Sequence, residues 1–498
     1  MTSARPSILL ILTDQQRYDS LGCYGAPGVH TPNLDRLAAE GTRFDRCYVT
    51  NQICTPSRAS LWTGKHLPGH GVYRVHDVLP PDEVLFSRRL RDAGYDTALF
   101  GKLHVAGHMR EAQQRHPNDG FRLYEWTPDP PGFGGRVETA YLKWLAERHP
   151  DVRERFRALN ARPGNLPVEA HMTTWCAERT IAYLEREREP GKPFLCCMSV
   201  FDPHDPYCNY PLEMRARLDE KRLAPPVDAD GPFEDRPDAF HREREGCYYQ
   251  RARELDADGR REMRAGYHAA VALIDDQVGR VLAALREQGL DANTLVIFAS
   301  DHGDMLGDHG LLVKGCYFHD PCTRVPLILR DPSGAGGAVV EAFAQPHDIA
   351  ATALLAAGFD ETDVRRWMPD ALDLRRPEPL HERGYAACLY RNSGICVDRA
   401  KGSKGYFDPP LHATMWREGR FKLNLYHAAP EGTCPGELFD LEADPREMKN
   451  LWADPAFRET RERMALRMLD WLAIQEYQGR GQGEDASPQD AAYRSGRG

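Results

Sequence analysis

The sequence has no long apolar run, no excess of basic residues and no internal repeat. The longest apolar run near the start of the chain is 8–12, whereas a membrane-spanning helix needs about 20 residues. Lys and Arg total 64 against 74 Asp and Glu, which gives a net charge of −10 and no positive surplus for a phosphate backbone. We therefore expect a globular protein that neither spans a membrane nor takes nucleic acid as its main partner.

Signals of secretion are also scarce. Arg5 precedes the short apolar run, but the run is too short for the core of a signal peptide, and Asp14 stands where a small-residue cleavage site would fall. No Asn-x-Ser/Thr sequon occurs. The 13 cysteines are odd in number and scattered, which is typical of reduced thiols rather than of a disulfide framework. These absences favour a cytoplasmic location.

Short apolar runs alternate with amphipathic segments over most of the chain. The runs predict buried strands and the segments predict helices, an order that builds a parallel sheet covered on both faces. The predicted strands are 7–12, 96–100, 194–200, 294–300 and 325–329, and the predicted helices are 32–40, one that begins near Pro56, 263–287 and 348–357. We expect an α/β fold with a large, mostly parallel sheet sandwiched by helices.

The pattern changes towards the C-terminus. Short strands near 415–416, 421–426 and 438–441 and a closing helix over 456–474 predict a smaller α+β subdomain with a short antiparallel sheet. We expect a main domain at 1–375, this subdomain at 376–478 and a loose tail at 479–498 that contributes to a homo-oligomer. The stretches 108–167 and 211–259, rich in Pro, Gly and charge, are expected to cross the loop end of the sheet, where substrate pockets form.

Polar clusters directly follow two of the predicted strands. Asp14 and Gln15 follow the first strand, and Asp301 and His302 follow the strand that ends at Ser300. Ligands bind at the carboxyl ends of strands in open α/β sheets, so the two clusters can meet over one divalent metal. Oxygen ligands favour Ca²⁺, and the imidazole leaves Mn²⁺ open. Either cluster by itself is also typical of a solvated turn or a helix cap.

Residues 54–64 hold the strongest cluster, Cys-Thr-Pro-Ser-Arg-Ala-Ser-Leu-Trp-Thr-Gly. A predicted helix start follows Cys54, and Arg58 comes within the next turn. A helix N-terminus and a guanidinium together can hold a tetrahedral oxyanion, and they also lower the pKa of a thiol. From spacing alone, Cys54 is equally a reactive residue or a small buried side chain.

This stretch resembles the signature of the sulfatases, Cys-x-Pro-Ser-Arg followed by Leu-x-Thr-Gly. The resemblance covers roughly residues 7–455 and is to the type I sulfatase branch of the alkaline-phosphatase-like superfamily. The other motifs that match, in the family's order, are Asp14-Gln15 with Leu21-Gly22-Cys23-Tyr24-Gly25, Gly101-Lys102-Leu103-His104, Pro203-His204-Asp205-Pro206-Tyr207, Asp301-His302-Gly303-Asp304 with Gly307-Asp308-His309-Gly310 and Lys314, and Leu438-Phe439-Asp440-Leu441 with Asp444-Pro445 and Asn450-Leu451. Six motifs in order make chance implausible.

The resemblance implies a reaction and a set of site residues. In such sulfatases a separate formylglycine-generating enzyme oxidises the motif Cys to formylglycine, whose hydrated aldehyde is a geminal diol. One hydroxyl attacks the sulfur of an aryl or alkyl sulfate, and the second expels sulfate from the covalent hemiester. The implied roles are metal ligation by Asp14, Gln15, Asp301, His302 and the modified Cys54, sulfate binding by Arg58, Lys102, His104 and Lys314, and protonation of the leaving oxygen by His204. Asp304, Asp308 and His309 are expected to support these residues, and His70, His76 and His108 to line the pocket.

Two positions depart from the common sulfatase pattern. Gln15 stands where many sulfatases carry Asp, and His302 stands where many carry Asn. The variant resembles choline sulfatases and bacterial phosphonate monoester hydrolases, which use the same formylglycine and often Mn²⁺. Lys102 and His104, in the Gly-Lys-x-His motif, favour a sulfatase. We therefore predict a sulfatase, with a phosphonate monoester or phosphodiester hydrolase as the alternative and a binding protein with an unmodified Cys54 as a third hypothesis.

The leaving alcohol is left open by the sequence. Asp202 and Asp205 suit a cationic alcohol, whereas Tyr124, Trp126 and Tyr207 suit an aryl or sugar group.

Overall fold

The computed structural model describes residues 5–157 and 166–478. Within them, eight strands form one large sheet, and the C-terminal region adds a four-stranded sheet and a two-stranded hairpin. The strands are β1 Ser7–Thr13, β2 Thr42–Cys47, β3 Asp96–Gly101, β4 Leu123–Trp126, β5 Phe194–Ser199, β6 Thr294–Ser300, β7 Leu327–Arg330, β8 Ala338–Ala344, β9 Tyr385–Arg391, β10 Cys396–Asp398, β11 Ser403–Gly405, β12 His412–Glu418, β13 Phe421–His427 and β14 Gly436–Asp440.

Helices cover both faces of the large sheet and close the C-terminal region. Those of the described residues are α1 Pro32–Glu40, α2 Cys54–Thr63, α3 Leu67–His70, α4 Phe86–Asp92, α5 His108–Gln113, α6 Gly132–Gly135, α7 Ala140–Arg148, α8 Pro150–Arg157, α9 Met172–Ala182, α10 Leu212–Arg215, α11 Asp238–Gly246, α12 Ala257–Glu287, α13 Asp320–Thr323, α14 Asp348–Ala356, α15 Glu361–Trp367, α16 Pro377–Arg383 and α17 Arg458–Tyr477. None of these helices has the length and apolar character that crossing a bilayer requires.

The large sheet has the strand order β4-β3-β5-β1-β6-β7-β2-β8. The strands from β4 to β6 pair in parallel, and so do β2 and β8. Only β7 runs against its neighbours, pairing antiparallel with both β6 and β2. The predicted α/β fold with a mostly parallel sheet is confirmed, as is the antiparallel C-terminal sheet.

The core lies on both sides of the sheet. Alternate residues of β1 enter opposite faces, as the two-residue period of a strand requires. Ile8, Leu10 and Leu12 belong to one buried cluster with side chains of α2 and α14, whereas Leu9 and Ile11 belong to a second cluster with α1, α9 and α12. Because both faces are covered, every residue of β1 is buried, and the strand carries a continuous apolar run from Ile8 to Leu12.

The C-terminal sheet, in the order β14-β13-β12-β9, packs against α17. Its strand β9 is also attached to the segment that leads into α2. Leu389 donates its backbone N–H to the carbonyl of Thr50 at 2.9 Å, and Asn51 Nδ2 donates to the carbonyl of Leu389 at 2.5 Å. The C-terminal region therefore helps to fix the approach to Cys54.

Most of the predicted helices and strands are confirmed with small shifts of their ends. Helix α2 begins at Cys54 itself rather than near Pro56, so the cysteine lies in the first turn. The prediction omits β2, β4, β8, β9, β10 and β11. Strands β4 and β8 are the edges of the large sheet, and exposed or half-exposed side chains interrupt their apolar patterns. The domain boundaries, the homo-oligomer and the cytoplasmic location stay predictions, and the tail 479–498 lies outside the described residues.

Candidate active site

The site lies at one edge of the large sheet, where the neighbouring strands β3, β5, β1 and β6 end. Lys102 follows β3, His204 lies in the loop after β5, Asp14 follows β1 and Asp301 follows β6. Because parallel strands present their carboxyl ends at the same edge, residues far apart in sequence meet there. Cys54, at the start of α2, completes the group.

Gly101 places Lys102 in this group. Its φ is +116°, and a Cβ at this position would lie 1.9 Å from the carbonyl oxygen of Ser199. Glycine is therefore required where β3 leaves the sheet beside β5. Lys102 then donates its backbone N–H to the same carbonyl at 3.0 Å, and its Nζ lies 2.5 Å from Asp14 Oδ2.

Ligand atoms of Asp14, Cys54, Asp301 and His302 lie within 4.8 Å of one another, and all four residues are buried. The Nδ1 atom of His302 lies 3.0 Å from the carbonyl oxygen of Gly303, which accepts its hydrogen. Nε2 of His302 is thereby left as the nitrogen available to a metal ion, 3.0 Å from Cys54 Sγ.

Gln15 adds an oxygen to this cluster. Its Nε2 donates to Asp304 Oδ2 at 2.6 Å, which turns Oε1 towards the site, where Lys314 Nζ donates to it at 2.5 Å. Tyr207 donates its hydroxyl hydrogen to the same oxygen of Asp304 at 2.6 Å. Two carboxylates, an amide oxygen and an imidazole nitrogen form a donor set that fits a divalent cation such as Ca²⁺ or Mn²⁺.

Arg58 is fully buried beneath these ligands. Its Nε donates to Asp301 Oδ2 at 2.6 Å, and its Nη2 lies 3.4 Å from Asp14 Oδ2. Its Nη1 donates to the carbonyl of Lys102 at 2.8 Å and to Ser199 Oγ at 3.0 Å. The guanidinium therefore aligns the two carboxylates of the predicted metal site and connects the ends of four strands, β1, β3, β5 and β6.

Cations dominate the surroundings of Cys54. Burial and Asp14 raise the pKa of its thiol, but Lys102, Lys314 and His302 outweigh them, so the pKa lies below its ordinary value. Lys314 Nζ lies 3.3 Å from Sγ. Burial likewise raises the pKa of Asp14, and the cations around it, Lys102 first, bring that pKa well below the ordinary value. The site therefore stabilises negative charge at position 54.

Lys314 and His204 form a hydrogen-bonded pair. His204 Nδ1 lies 2.8 Å from the carbonyl oxygen of Asp205, which accepts its hydrogen, so Nε2 accepts from Lys314 Nζ at 2.7 Å. Burial and Lys314 hold the pKa of His204 well below its ordinary value. Burial lowers the pKa of Lys314, but Cys54 and the neighbouring carboxylates raise it overall. Lys314 is therefore the member of the pair that carries the proton.

His104 has a left-handed backbone, with a φ of +60°. Thr55 donates its hydroxyl hydrogen to the carbonyl of Val75 at 2.7 Å, so it accepts from His104 Nε2 at 3.0 Å. Burial, Lys102 and His108 hold the pKa of His104 well below its ordinary value. Its Nδ1 has no hydrogen-bond partner among the described residues. A neutral His104 therefore offers an acceptor at this atom.

A cavity of about 640 Å³ opens above Cys54. The predicted residues Lys102, His104, His204 and Lys314 line it, together with His76 and His108. His70 lies elsewhere, with Nε2 at 2.9 Å from Ser60 Oγ in α2.

Part of the cavity wall was missed by sequence reasoning. Tyr248 and Tyr249 come from the charged stretch 211–259, where a pair of adjacent tyrosines was the available signal. Ile395 and Lys404 come from the hairpin β10–β11 and the residue before it. The division of the chain near residue 375 hid this contribution, because it assigned the hairpin to a separate subdomain.

Of the side chains predicted to contact the leaving alcohol, only some line the cavity. Asp205 lines the cavity, whereas Asp202 accepts a hydrogen bond from Thr173. Trp126 donates its indole N–H to Glu111 at 2.9 Å. Tyr124, Trp126 and Tyr207 are not among the residues that line the cavity, so the aryl-stacking role predicted for them is not supported.

Comparisons with known proteins agree with this site. The sulfatase family model matches residues 6–359. The chain is 30% identical over 477 residues to the uncharacterized sulfatase YidJ of Escherichia coli (strain K12), covering 94% of this chain and 87% of the relative. It is 30% identical over 466 residues to the choline-sulfatase of Rhizobium meliloti (strain 1021), covering 91% and 84%. The crystal structure of a phosphonate monoester hydrolase of Agrobacterium radiobacter superimposes with a TM-score of 0.72 at 26% identity, covering 95% of this chain and 96% of that chain.

The large sheet, its flanking helices and the polar cluster at its edge define an alkaline-phosphatase-like hydrolase. Since the family model covers most of the chain and the matched relatives span nearly its whole length, the chain belongs to the sulfatase family, the sulfuric ester hydrolases.

Proposed function

We propose that the protein hydrolyses sulfate monoesters, aryl or alkyl, with a formylglycine made from Cys54 by a formylglycine-generating enzyme. The observation that carries this proposal is the position of Cys54. It starts helix α2 at the base of the cavity, with Sγ at 3.0 Å from His302 Nε2 and 3.3 Å from Lys314 Nζ. A nucleophile here lies beside both the predicted metal ligands and the cations that suit a sulfate group.

The metal ligands in this proposal are Asp14, Gln15, Asp301, His302 and the modified residue 54. When bound, a Ca²⁺ or Mn²⁺ ion supplies positive charge that polarises the nucleophile and the sulfate oxygens. Arg58 contacts the carboxylates of Asp14 and Asp301 on the side away from the cavity. We therefore propose that it aligns these two metal ligands and also adds positive charge to the site.

The reaction exchanges one S–O bond for another. One hydroxyl of the hydrated aldehyde attacks sulfur, and the bond from sulfur to the alcohol oxygen breaks. When the second hydroxyl loses its proton, its oxygen re-forms the C=O bond of the aldehyde, the bond from that carbon to the sulfate oxygen breaks and sulfate leaves. Addition of water to the aldehyde then restores the diol. Lys102 and Lys314 carry the positive charge that balances the sulfate oxygens.

Proton transfer follows from the hydrogen bonds around the cavity. Lys314 holds the proton of the Lys314–His204 pair, so this pair protonates the leaving oxygen. His104 Nδ1 is an acceptor without a partner among the described residues, so His104 is suited to receive the proton of the second hydroxyl. The role implied by sequence, sulfate binding by His104, is thereby extended to a base.

A phosphonate monoester or phosphodiester hydrolase is the alternative. Gln15 and His302 favour it, because both replace anionic or amide ligands common in sulfatases, and the phosphonate monoester hydrolase named above shares the fold at 26% identity. Lys102 and His104, which line the cavity, favour the sulfatase.

Replacement of the nucleophile tests the proposal. Cys54→Ala should abolish hydrolysis of an aryl sulfate while the circular dichroism and thermal unfolding stay close to wild type. The matched control is Cys208→Ala, because Cys208 is exposed and should be replaceable without loss of rate. The wild type should be active only when peptide mass spectrometry finds the aldehyde at position 54. Wild-type rates in Cys54→Ala would overturn the proposal.

A further inference from the structure

Two buried glutamates lie behind the two lysine loops of the site. Glu111, on α5, is 7% exposed and Glu243, on α11, is 5% exposed. Neither belongs to a sequence motif, and neither is among the side chains that face the cavity. Each one bonds the backbone of a loop that carries a sulfate-binding lysine, Lys102 or Lys314.

Glu111 holds the loop that follows β3. Its Oε1 accepts from the backbone N–H of Val105 at 2.6 Å and of Ala106 at 3.2 Å, and its Oε2 accepts from the backbone N–H of His104 at 3.2 Å. The indole N–H of Trp126 also donates to Oε2, at 2.9 Å. All four partners are donors, so only a carboxylate can accept from them together.

Glu243 plays the corresponding part for the second loop. Its Oε1 accepts from the backbone N–H of Cys316 at 2.5 Å and from the hydroxyl of Tyr390 at 3.1 Å. Cys316 lies just beyond Lys314 in the chain. Tyr390 is in β9, so Glu243 fixes the Lys314 loop to the C-terminal sheet.

We propose that Glu111 and Glu243 are positioning residues, which as carboxylates hold the Lys102 and Lys314 loops in the conformation that binds the sulfate group. Protonation of Glu111 places a hydroxyl donor among donors, because both of its oxygens accept hydrogen bonds. Protonation of Glu243 removes the negative charge that strengthens its bonds to Cys316 and Tyr390, so in each case the hold on the loop weakens. The inference rests on the proposed function for the identity of the substrate, and on the backbone contacts for the rest.

The pH range of this effect follows from burial. Burial raises the pKa of Glu111 and that of Glu243 from their ordinary value to about 7, against the hydrogen bonds that lower them. The carboxylates are therefore present above pH 7 and are lost as the pH falls through 7. Support of the loops should follow the same course.

The groups that face the two glutamates stay in one charge state through this range. Burial lowers the pKa values of His104 and His108 near Glu111 and raises those of the tyrosines and thiols near both glutamates, so all of these are neutral. Near Glu111 these groups are His104, Tyr124 and, on its own helix, His108; near Glu243 they are Cys316, Tyr317, Cys322, Tyr390, Cys396 and Cys247, beside Arg242 on its own helix.

Isosteric replacement tests the inference. Glu111→Gln and Glu243→Gln resemble the protonated glutamates, so each variant should match the wild type below about pH 6, where the wild-type side chains are protonated. Above about pH 8, kcat/KM should be lower than wild type by roughly ten- to hundred-fold, the value of hydrogen bonds to a charged group. The ratio of wild type to variant should change with a midpoint near pH 7.

Stability provides a second readout with the opposite sign. Because burial raises the pKa of both glutamates, the folded wild type gains stability as the pH falls and loses it as the pH rises through 7. The Tm of each Gln variant, relative to wild type, should therefore increase with pH while its relative activity decreases. A residue that served the fold alone would move stability and activity in the same direction.

The control variant is Glu83→Gln. Glu83 is 8% exposed, and its carboxylate lies 2.8 Å from Lys65 Nζ, so it is a buried glutamate held by a lysine side chain rather than by backbone N–H groups of a lysine loop. The ratio of wild-type kcat/KM to that of Glu83→Gln should stay constant with pH. The inference would be overturned if the ratio of wild-type to variant kcat/KM were independent of pH in Glu111→Gln and Glu243→Gln as well, or if it equalled one at every pH.

Binding of inorganic sulfate separates this inference from the proposed function. Isothermal titration calorimetry of sulfate against wild type and variants should give the same pH-dependent ratio without turnover. A wild type that hydrolyses no sulfate ester would reject the proposed function, while the sulfate affinities would still decide the positioning role.

Discussion

The amide of Gln15 can ligate a metal only through its oxygen, and Asp304, together with Lys314, holds that oxygen towards the site. Asp304 Oδ1 accepts from the backbone N–H of Leu306 at 2.9 Å, and Oδ2 accepts from Gln15 Nε2 at 2.6 Å. In Asp304→Asn, the N–H of Leu306 keeps the new amide oxygen on its own side. The new NH₂ group then faces Gln15 Nε2, donor against donor, so the Gln15 amide loses its bond to residue 304 and is held only by Lys314 and by Asp205 Oδ1 at 3.4 Å. Its oxygen is then no longer firmly held towards the metal site.

The expected cost is a ten- to hundred-fold loss of metal affinity, about 1.4–2.8 kcal/mol, the usual effect of changing the partner of a metal ligand. Isothermal titration calorimetry with Ca²⁺ and with Mn²⁺ measures it. Tyr207→Phe is the matched control, because it removes the other donor to Oδ2 and leaves Gln15 in place.

A second substitution should restore the site. In Asp304→Asn combined with Gln15→Glu, the introduced carboxylate can accept from the new amide with one oxygen and face the metal with the other. Metal affinity should therefore recover. Wild-type affinity in Asp304→Asn, or a double variant no better than the single one, would refute the reasoning about the orientation of Gln15.

Three further predictions concern charge. Arg58→Met leaves the buried carboxylates of Asp14 and Asp301 without the cation that they share, so the free energy of unfolding in urea should fall by about 3–5 kcal/mol. An unchanged free energy of unfolding would contradict the alignment of these carboxylates by Arg58. Lys422→Met should lower the free energy of unfolding by about 3–5 kcal/mol as well, because Nζ lies 2.7 Å from Asp320 and 2.5 Å from Glu447 in a buried triad. Lys422→Arg, which keeps the positive charge, should lower it less. Lys404→Glu should raise the KM of aryl sulfates whose aryl group carries an additional negative charge more than that of aryl sulfates whose aryl group is uncharged, because Lys404 lines the cavity. Equal changes of KM would argue against a role for Lys404 in substrate selection.

Local sequence patterns were sufficient for the centre of the fold. The apolar runs of β1 and β6 are fully buried, and their lengths were predicted almost to the residue. Edge strands such as β4 carry half-exposed side chains, so no apolar period distinguishes them from a loop. The antiparallel direction of β7 depends on the path of the chain between β6 and β7, and no local sequence pattern predicts that path.

The candidate site divides in the same way. Cys54, Lys102 and His204 lie in contiguous motifs, and a linear sequence can display them. The contacts that define their roles are between distant segments. Glu111 and Glu243 act through backbone N–H groups, which have no signature in sequence, and only the fold brings them behind the lysine loops.

The direct test of the central claim is kcat/KM on two matched aryl esters, a sulfate monoester and a phenylphosphonate monoester. The enzyme should be loaded with metal, and the aldehyde at position 54 should be verified by peptide mass. Our account predicts a clear preference for the sulfate ester, because Lys102 and His104 complete a sulfate-binding wall. A clear preference for the phosphonate would contradict it and would mean that Gln15 and His302 determine the reaction.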